Sequence, residues 1–432
     1  MLFLKNELPA TVQADEITAN TVSHIIEEVS RGGDIAVKSF TERFDGVKLK
    51  HLKLSHEEID ERLKLLDPDA KKLIDINHDR ITRFARFQLS MYRDMEMNTD
   101  GGRTLLGHRV IPVDTAGIYV PAGRFPLLSA SLMGIIPAKV AGVRRIVACT
   151  PPGEGKPHPA VLYGIVKAGA TDIFTIGGAQ AIAAMALGTE TIPKVDKIAG
   201  PGNRFVNEAK RALFGKVGID LLAGPSEVLV LADETAVAET VILDLLAQAE
   251  HDDDARACLV TTSEELATKV NSSIGRYIEA LPTRDILKRS WETHGCIAYS
   301  PEIEKCIDFV NAYAPEHLEL HLASGLLDSV YRKLTNYGSA FLGADVPVVL
   351  SDKLIGTNHV LPTMKASRYS GGLSVGSFLK VLTYQKLLNK SVSSMLAKSA
   401  KKQSDYESLS AHAASAELRI FNVERTNYNL EI

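Results

Sequence analysis

Residues 173–180 read Ile-Phe-Thr-Ile-Gly-Gly-Ala-Gln, a short apolar run that ends in a loop of small residues. A run of this length predicts a buried strand, and the small residues predict a tight connection to a helix. The same order recurs at 145–150, which is followed by Pro-Pro and a predicted helix over 159–168. It recurs again at 197–199, which leads to Gly-Pro-Gly-Asn at 200–203. Strand, small-residue loop and helix in repetition predict a parallel α/β sheet.

The pattern extends in both directions along the chain. On the amino-terminal side, 117–123 (Gly-Ile-Tyr-Val-Pro-Ala-Gly) predicts a strand that enters a Pro/Gly loop, and 127–141 predicts a buried helix. A second α/β set begins near 219 and contains a long predicted helix over 235–251. Its predicted strands are 228–232, 257–262, 296–299, 318–322 and 339–343. The fold class expected is therefore α/β, with two incomplete Rossmann-like parallel-sheet domains.

Helical patterns dominate the two ends of the chain. Apolar residues recur at helical spacing before residue 100, with a break at Arg-Gly-Gly-Asp (31–34) and a helix start at Asp67-Pro68. The Lys-rich tail after residue 376 has no core of its own and is expected to pack on another surface, such as a second subunit. The predicted domains are a helical arm and packing layer at 1–105, a first α/β domain at 106–218, a second at 219–375 and a helical tail at 376–432.

Composition excludes several classes of protein. With 432 residues, 45% of them hydrophobic and 24% charged, the chain is long enough for two or more domains with real cores. A net charge of −4 gives no general attraction to nucleic acid or to an anionic membrane. Residues 1–5 are too few and too soon polar for a signal peptide, and no apolar run is long enough to cross a bilayer. We expect a cytoplasmic protein.

Four cysteines are present, and none forms a Cys-x-x-Cys pair. A thiolate zinc finger or a redox dithiol is therefore not expected. Any metal would be held by His, Asp, Glu or Gln side chains.

The stretch 313–319, Tyr-Ala-Pro-Glu-His-Leu-Glu, is the first candidate for catalysis. Pro315 suits the first turn of a helix, which predicts that Glu316 and His317 lie at a helix entry. A carboxylate and an imidazole at one position can act as acid and base, since imidazole titrates near neutrality. The alternative is a capping carboxylate beside a surface histidine.

Other candidates are scattered along the chain. Gln248 and His251 are three residues apart on one predicted helix face, Asp352 lies in a predicted loop at 351–363 that also contains His359, and His412 lies in the tail. Two histidines, an Asp and a neutral oxygen would suit zinc, although sequence spacing alone cannot gather them and each histidine also fits a structural or surface role.

The small-residue loops at 177–180 and 200–203 can also be interpreted as ligand-binding loops. In open α/β sheets, ligands gather at the carboxyl ends of strands, where backbone N–H groups at helix starts can bind a pyrophosphate. Neither 177–180 nor 200–203 reads Gly-x-Gly-x-x-Gly, and both loops also fit tight turns with no ligand.

Five motifs, taken together, resemble the histidinol dehydrogenase family over about residues 15–420. They are Gly-Pro-Ser-Glu (224–227), Gln-Ala-Glu-His (248–251), Ala-Pro-Glu-His-Leu-Glu (314–319), Gly-Thr-Asn-His-Val-Leu-Pro-Thr (356–363), and Glu407 with Ala411-His412. They occur in the family's order and at close to its spacing.

The resemblance implies a set of site residues. One zinc ion per subunit would be held by Gln248, His251, Asp352 and His412. Glu316 and His317 match the family's catalytic acid/base pair, and NAD contacts match Tyr119, Gln180 and Asn203. Substrate contacts match Ser226, Gln248, His251, His317, Asp352, Glu407 and His412. Family members are homodimers whose tail reaches the partner's site, which would explain a tail that carries Glu407 and His412.

The resemblance also implies a two-stage oxidation. His317 would take the alcohol proton as a hydride passes to NAD, and Glu316 would activate water for attack on the aldehyde before a second hydride transfer. The expected reaction is L-histidinol to L-histidine in histidine biosynthesis. No step needs a cysteine.

Two segments depart from the histidinol pattern. The loop at 121–126 has Ala where the family usually has Gly, followed by the bulky pair Arg124-Phe125. Residues 364–385 look more like the sulfopropanediol 3-dehydrogenase branch, whereas Gly-Pro-Ser-Glu at 224–227 is usual in the histidinol branch.

Charge separates these alternatives. Histidinol carries a cationic amine and an imidazole, whereas a sulfonate needs cationic or N–H donors. Arg124, Lys365 and Arg368 are candidates for a sulfonate contact, although each also fits an ordinary surface position. A further alternative is a catalytically idle homologue that binds metal or nucleotide, and filled positions throughout the motifs argue against it.

Overall fold

The fold was analysed in a computed structural model that describes residues 1–5, 16–121 and 127–428. The chain forms two compact units. One combines Met1–Leu89 with Val113–Phe378, and the other combines Ser90–Pro112 with the chain from Leu379 onward.

The bounds of the elements follow. The strands are β1 (Leu2–Lys5), β2 (Met95–Thr99), β3 (Thr104–Pro112), β4 (Thr115–Tyr119), β5 (Arg145–Cys149), β6 (Asp172–Phe174), β7 (Lys197–Ala199), β8 (Gly218–Ile219), β9 (Glu227–Ala232), β10 (Arg256–Thr261), β11 (Cys296–Tyr299), β12 (His317–His321), β13 (Ser339–Leu342) and β14 (Leu379–Leu387). The helices are α1 (Glu16–Asp45), α2 (His56–Leu63), α3 (Pro68–Leu89), α4 (Ala130–Ala141), α5 (Pro159–Ala168), α6 (Gly178–Leu187), α7 (Arg204–Leu213), α8 (Ala238–Ala249), α9 (Glu264–Ala280), α10 (Arg284–His294), α11 (Ile303–Tyr313), α12 (Ser324–Tyr331), α13 (Val348–Leu350), α14 (Lys390–Tyr406) and α15 (Ser410–Tyr428).

Five strands of the first unit form a parallel sheet in the order β6-β5-β4-β7-β8. Counted from β4, this is the Rossmann order 3-2-1-4-5. The apolar runs at 145–150 and 173–176 become the strands β5 and β6, whose side chains are buried apart from Arg145 at the edge. The parallel α/β prediction is confirmed.

The second sheet of this unit repeats the order. Its six strands run β1-β11-β10-β9-β12-β13, with β9 to β13 parallel and β1 antiparallel to β11 at one edge. Counted from β9, the parallel strands again follow 3-2-1-4-5. The predicted strands of this region lie within a residue or so of the observed ones, and the predicted helix over 235–251 is α8, which ends at Ala249.

The predicted break at 31–34 is a kink within α1. Gly33 has φ +49° and ψ −133°, and the N–H of Asp34 donates to Glu190 Oε2 at 2.8 Å. A Cβ at Gly33 would overlap that carboxylate, so only glycine fits. The predicted helix start at Asp67 is also confirmed, since its Oδ1 accepts from the N–H groups of Asp69 and Ala70.

The terminal regions 1–105 and 376–432 are mainly helical as predicted, but they also contain strands that the sequence pattern did not predict. Strand β1 joins the six-stranded sheet, and β2, β3 and β14 form an antiparallel sheet in the order β14-β3-β2 in the other unit. In that unit Leu379 pairs with Pro112 and Leu387 with Thr104. Because the paired segments are far apart in sequence, no local periodicity predicts their ladder. The helical pattern of the neighbouring residues therefore predicts helix at positions where the structure has strand. Helices α14 and α15 then pack against each other.

Within the described residues, every helix is too short or too polar to cross a membrane.

Candidate active site

Glu316 and His317 lie at the amino end of the central strand β12, and the predicted helix start at Pro315 is wrong. Helix α11 ends at Tyr313, Ala314 takes a left-handed conformation (φ +56°), and β12 then pairs on both sides, with β9 and β13. Two ladders of backbone hydrogen bonds outweigh the local preference of proline for a first helical turn. Both side chains are buried, with 6% of Glu316 and 4% of His317 exposed, which excludes a surface histidine.

The backbone of Glu227, on the neighbouring strand β9, orients both groups. Its N–H donates to Glu316 Oε2 at 2.7 Å, and its carbonyl lies 3.0 Å from His317 Nδ1. Since a carbonyl oxygen only accepts, Nδ1 must carry the proton, and in the neutral ring Nε2 then holds a free lone pair. His317 Nε2 is buried and has no hydrogen-bond partner among the residues that the structure describes.

Carboxylates crowd this imidazole. Burial disfavours a charge on His317, but Glu316 and Asp352 outweigh burial and raise the pKa of His317 to about 9. Burial also raises the pKa of the Glu227 carboxyl to about 7, where the opposing pull of Arg256 is offset by Glu316. The pocket therefore has a strong preference for positive charge.

Two predicted metal ligands lie at the end of α8. Gln248 is in its last turn, and His251 follows the helix, with its N–H donating to the Gln248 carbonyl at 3.2 Å. Burial lowers the pKa of His251, and the nearby Asp352 carboxylate opposes that effect. The end of α8 therefore meets Asp352 in one electrostatic cluster with Glu316 and His317.

The segment that carries Asp352 is a helical turn followed by a loop, rather than loop throughout as predicted for 351–363. Residues Ser351–Ile355 form one π-helical turn directly after α13. Ser129, at the start of α4, donates its hydroxyl to the Asp352 carbonyl at 2.8 Å, and Asn358 donates its amide to the Met133 carbonyl at 2.7 Å. A helix of the first sheet thus fixes a predicted zinc ligand beside the second sheet.

These donors fit a zinc ion. Gln248 is 2% exposed, and its amide Nε2 has no partner among the described residues, as is also true of His317 Nε2 and His359 Nδ1. Amide nitrogen and oxygen exchange by a flip of the group, so the unpaired atom of Gln248 can equally be its oxygen. Imidazole, carboxylate and amide oxygen together form a donor set that zinc accepts.

The other two tail residues of the predicted site, Glu407 and His412, belong to the second unit. Glu407 ends α14 and accepts a hydrogen bond from Gln403 at 2.7 Å, and His412 lies exposed on α15. Their part in the site remains a prediction. Ser226, a predicted substrate contact, directly precedes Glu227 and accepts from the Arg256 N–H through its carbonyl at 2.9 Å.

The predicted NAD residues meet at the carboxyl ends of the first sheet. Tyr119 ends β4, and its hydroxyl accepts from the N–H of Gly178 at 3.2 Å. Burial raises the pKa of Tyr119 to about 12, so this hydroxyl stays protonated. Gln180 is 1% exposed, and its Oε1 has no partner among the described residues. Gly200 has φ +122°, and a Cβ there would overlap the Tyr119 carbonyl oxygen.

Asn203 has a clear structural role. It is the N-cap of α7, and its Oδ1 accepts from the N–H groups of Phe205 and Val206 at 3.0 and 3.1 Å. The unpaired Oε1 of Gln180 and the small-residue loops at 177–180 and 200–203 fit a nucleotide at the point where the strand order reverses.

A buried ion pair fixes the backbone of the loop that precedes Asn203. Lys210 and Asp220 form a fully buried ion pair, with 0% and 1% of their side chains exposed. Lys210 also donates to the Gly200 carbonyl at 3.1 Å, and the Gly200 N–H donates to Asp220 Oδ2 at 2.8 Å. Both polar groups of Gly200 are thereby fixed.

The three candidates for a sulfonate contact remain predictions. Arg124 lies outside the described residues, and Lys365 and Arg368 are exposed beside a short 3-10 turn.

The histidinol dehydrogenase family profile matches residues 9–420. The chain belongs to this family. Family membership makes it an oxidoreductase, and the predicted resemblance is confirmed. A solved histidinol dehydrogenase from Elizabethkingia anophelis superposes with a TM-score of 0.89 at 36% identity, covering 97% of this chain and 95% of the other. The predicted α/β fold with helical terminal segments agrees with that structure.

Relatives with two different descriptions are equally similar. A histidinol dehydrogenase from Methanothermobacter thermautotrophicus is 43% identical over 412 residues, covering 95% of each chain. A protein described as a histidinol dehydrogenase homolog from Shouchella clausii is 42% identical over 402 residues, covering 93% of each. Overall similarity therefore identifies the family and does not select the alcohol that is oxidised.

Two residues of the site were missed as functional candidates. His359 was noted only as a loop residue, but its Nδ1 lies 3.5 Å from Asp352 Oδ1 and burial lowers its pKa. Glu227 was read only as part of the Gly-Pro-Ser-Glu motif. The signal available in sequence was a His in the 356–363 block and a Glu at the start of a buried strand, where a charged residue is unusual.

Proposed function

We propose that this chain is a zinc- and NAD-dependent dehydrogenase that oxidises a polar primary alcohol through the aldehyde to the carboxylate, with L-histidinol as the favoured substrate. The observation that carries the proposal is His317. Its Nδ1 is fixed by the Glu227 carbonyl, and its buried Nε2 is free of any partner within the described part of the chain. This is the geometry of a general base held in one tautomer.

The residues that would hold zinc are Gln248, His251, Asp352 and His412. When bound, zinc would supply a Lewis acid that fixes the substrate and acidifies its hydroxyl, and NAD would accept the hydride. A divalent charge on Asp352 would also oppose the carboxylates that raise the pKa of His317, which favours the neutral imidazole near pH 7.

His317 and Glu316 divide the proton transfers. In the first stage, the alcohol C–H leaves as hydride, and His317 Nε2 takes the hydroxyl proton. In the second stage, Glu316 accepts a proton from the water that adds to the aldehyde carbon, while protonated His317 returns its proton to the carbonyl oxygen. The hydrate then gives its hydride to a second NAD and a hydroxyl proton to His317, which leaves the carboxylic acid. The backbone N–H of Glu227 holds Glu316 Oε2, so the carboxylate stays beside the imidazole throughout.

The charge of the site favours a cationic substrate. Glu316 and Asp352 act on His317, and the neighbouring Glu227 carboxyl is engaged by Arg256 at 3.7 Å. Lys353 is the cation of this cluster that opposes their field, since it lowers the pKa of both His251 and His359. An ammonium group gains from this field, whereas a sulfonate would have to overcome it.

NADH absorbance tests the assignment. Zinc-loaded protein is mixed with NAD and either L-histidinol or 2,3-dihydroxypropane-1-sulfonate. NADH from histidinol, at two per substrate consumed, supports the proposal. NADH from the sulfonate alone moves the chain to the other branch of the family, and the absence of NADH with both alcohols contradicts the dehydrogenase assignment for these substrates and favours the idle homologue.

The proposal includes a homodimer in which the tail completes the partner's site. Co-expression of His317→Ala with His412→Ala tests it. If the tail acts in its partner, mixed dimers contain one intact site, and about a quarter of the full activity returns from two inactive variants. If each tail completes the site of its own chain, both sites of the mixed dimer are inactive, and activity does not return.

A further inference from the structure

Asp244, Glu319 and His321 form a second buried cluster of metal-binding side chains in the second sheet. His321 Nε2 lies 3.3 Å from Glu319 Oε2 and 3.6 Å from Asp244 Oδ2, and the three ligand atoms are all within 4.8 Å of one another. Glu319 and His321 are 0% and 2% exposed. Asp244, on α8, is the only one of the three that retains some exposure, at 11% of its side chain.

The cluster is polar but unsatisfied. Among the described residues, no hydrogen bond is made by Asp244 Oδ2, by Glu319 Oε2 or by either ring nitrogen of His321. The other oxygen of Glu319 accepts from the Val348 N–H at 2.7 Å, which fixes the carboxylate with Oε2 directed at the imidazole. Buried polar atoms without partners each cost about 1–3 kcal/mol, so something is expected to satisfy this group.

The charges of the cluster need a cation. Burial and the facing Glu319 carboxylate together raise the pKa of Asp244 to about 7, against the opposing effect of His321. Within the described part of the chain, no Lys or Arg side chain forms an ion pair with Asp244 or Glu319. Two carboxylates and one imidazole around a common point are a donor set for a divalent ion.

This cluster is separate from the predicted zinc ligands but shares their scaffold. His317, Glu319 and His321 are every second residue of β12, so their side chains share one face of the strand. At 3.3 Å per residue, Glu319 and His321 lie about 7 Å and 13 Å from His317 along the strand. Asp244 precedes Gln248 by one helical turn, about 6 Å along α8 at 1.5 Å per residue. The strongest effects on the pKa of His251 come from burial and then from Asp352, Lys353, His317 and Glu316, which all lie outside this cluster.

We infer that Asp244, Glu319 and His321 bind a second divalent cation of the Mn²⁺ or Zn²⁺ type. Ligand atoms 3.3–3.6 Å apart can each lie about 2.0–2.2 Å from one ion, and the remaining positions would be filled by water. The ion would tie α8 to β12. It would thereby hold Gln248 and His317, which lie on the same two elements, at a fixed separation.

Metal counting tests the inference. Full-length protein is stripped with a chelator, reloaded with MnCl₂ or ZnCl₂, gel-filtered and measured by inductively coupled plasma mass spectrometry. We expect about two ions per chain for the wild type. His321→Gln, Glu319→Gln and Asp244→Asn should each lose one ion and keep the other, whereas Gln248→Ala should lose the other ion. His294→Gln is the matched control, since His294 also lies 3.6 Å from an aspartate, Asp254, but has no second carboxylate.

The outcomes are distinguishable. One ion per chain in the wild type, lost in Gln248→Ala and retained in His321→Gln, overturns the inference and leaves the proposed zinc site intact. Loss of one ion in the three cluster variants, with none lost in Gln248→Ala, supports the inference and contradicts the proposed zinc site. Far-ultraviolet circular dichroism melts identify any variant that has failed to fold. The isosteric, partly exposed Asp244→Asn then decides, because a folded Asp244→Asn that binds the full complement of metal overturns the inference.

Discussion

The two sheets of the first unit share a strand order but carry their candidate chemistry at opposite ends. In the five-stranded sheet, Tyr119, Gly178 and Gly200 lie at the carboxyl ends of strands, where the order reverses between β4 and β7. In the six-stranded sheet, Glu227 and the Glu316–His317 pair lie at the amino ends of β9 and β12.

A single carboxylate accounts for part of this difference. Asp233, directly after β9, accepts from the N–H groups of Thr235 and Ala323 at 2.9 and 2.7 Å, and so ties together the carboxyl ends of β9 and β12. In the first sheet, Gly200 follows β7, and its lack of a Cβ lets its backbone approach the Tyr119 carbonyl at the end of β4. The rule that ligands bind at the carboxyl ends of such sheets therefore applies to one sheet and not the other, since topology alone does not place a site.

The two sheets also differ in whether their buried charged and polar groups are paired. In the first sheet, Lys210 and Asp220 pair with each other and brace a loop. In the second, His317 Nε2, Asp244 Oδ2, Glu319 Oε2 and both ring nitrogens of His321 have no hydrogen-bond partner among the described residues. Paired buried charges indicate a structural role, whereas unpaired ones indicate a ligand or a reacting group.

The largest effect is expected in the second sheet, for His317→Ala. Loss of the general base should lower kcat by about 10²–10⁴-fold, with zinc content unchanged. Steady-state NADH kinetics and metal analysis check both parts, and His294→Ala serves as a control for removal of a histidine elsewhere. A kcat within a few-fold of the wild-type value would contradict the role of His317 as the general base.

In the first sheet, Lys210→Met should be the most damaging change to stability. It leaves Asp220 buried without its partner charge, which costs about 3–5 kcal/mol. Urea unfolding measures the loss. The double variant Lys210→Met/Asp220→Asn should recover part of it, because no uncompensated charge remains, and a double variant as unstable as the single one would contradict this account.

Gly200→Ala tests whether the close approach of Gly200 to Tyr119, at the carboxyl ends of the first sheet, is required for stability and NAD binding. The new Cβ would overlap the Tyr119 carbonyl at a positive φ, so we expect about 2 kcal/mol or more of destabilisation together with a raised KM for NAD. Gly343→Ala is the control, since Gly343 has φ +101° but a Cβ there would meet nothing within 4 Å among the described residues. Equal losses in the two variants would mean that backbone strain, and not the close approach to Tyr119, is responsible.

The smallest effect concerns Asp172 at the edge of the first sheet. Burial opposes ionisation, but Arg145 and Lys53 outweigh it and lower the pKa of Asp172 to about 2. Because the folded pKa is below the unfolded one, near 4, the stabilisation is present above about pH 4 and is lost as the pH falls toward 2. Asp172→Asn should therefore cost about 1–2 kcal/mol at pH 7 and less at pH 3.

Urea unfolding at the two pH values checks the Asp172 prediction. Asp114→Asn, in an exposed pair with Arg144, should change little at either pH. A loss for Asp172→Asn that is the same at pH 3 and pH 7 would show that the ion pairs are not its cause.

Periodicity and motif order predicted much of this molecule. The buried apolar runs at 145–150 and 228–232 are strands, because a short apolar run of that length is typical of a strand buried on both faces of a parallel sheet. The five motifs by themselves indicated the family, and a helix begins at Asp67-Pro68 as its capping chemistry requires.

Local pattern failed where partners distant in sequence decide the conformation. Pro315 carries a helix-start signal, yet strands β9 and β13 draw the residues after it into a sheet. Residues 379–387 adjoin a helical tail, yet they pair with 104–112. In each case the free energy of a backbone ladder exceeds a propensity of at most about 1 kcal/mol per residue.

The sequence by itself determined the fold class, the family and the residue types of the site, since these depend on local periodicity and on the chemistry of each side chain. Only the tertiary structure decided which end of each sheet holds polar groups, that the Glu227 backbone sets the tautomer of His317, and that His359 and Asp352 come together. Hydrogen bonds and electrostatic fields act through space over a few ångströms, and the chain order carries no record of those distances.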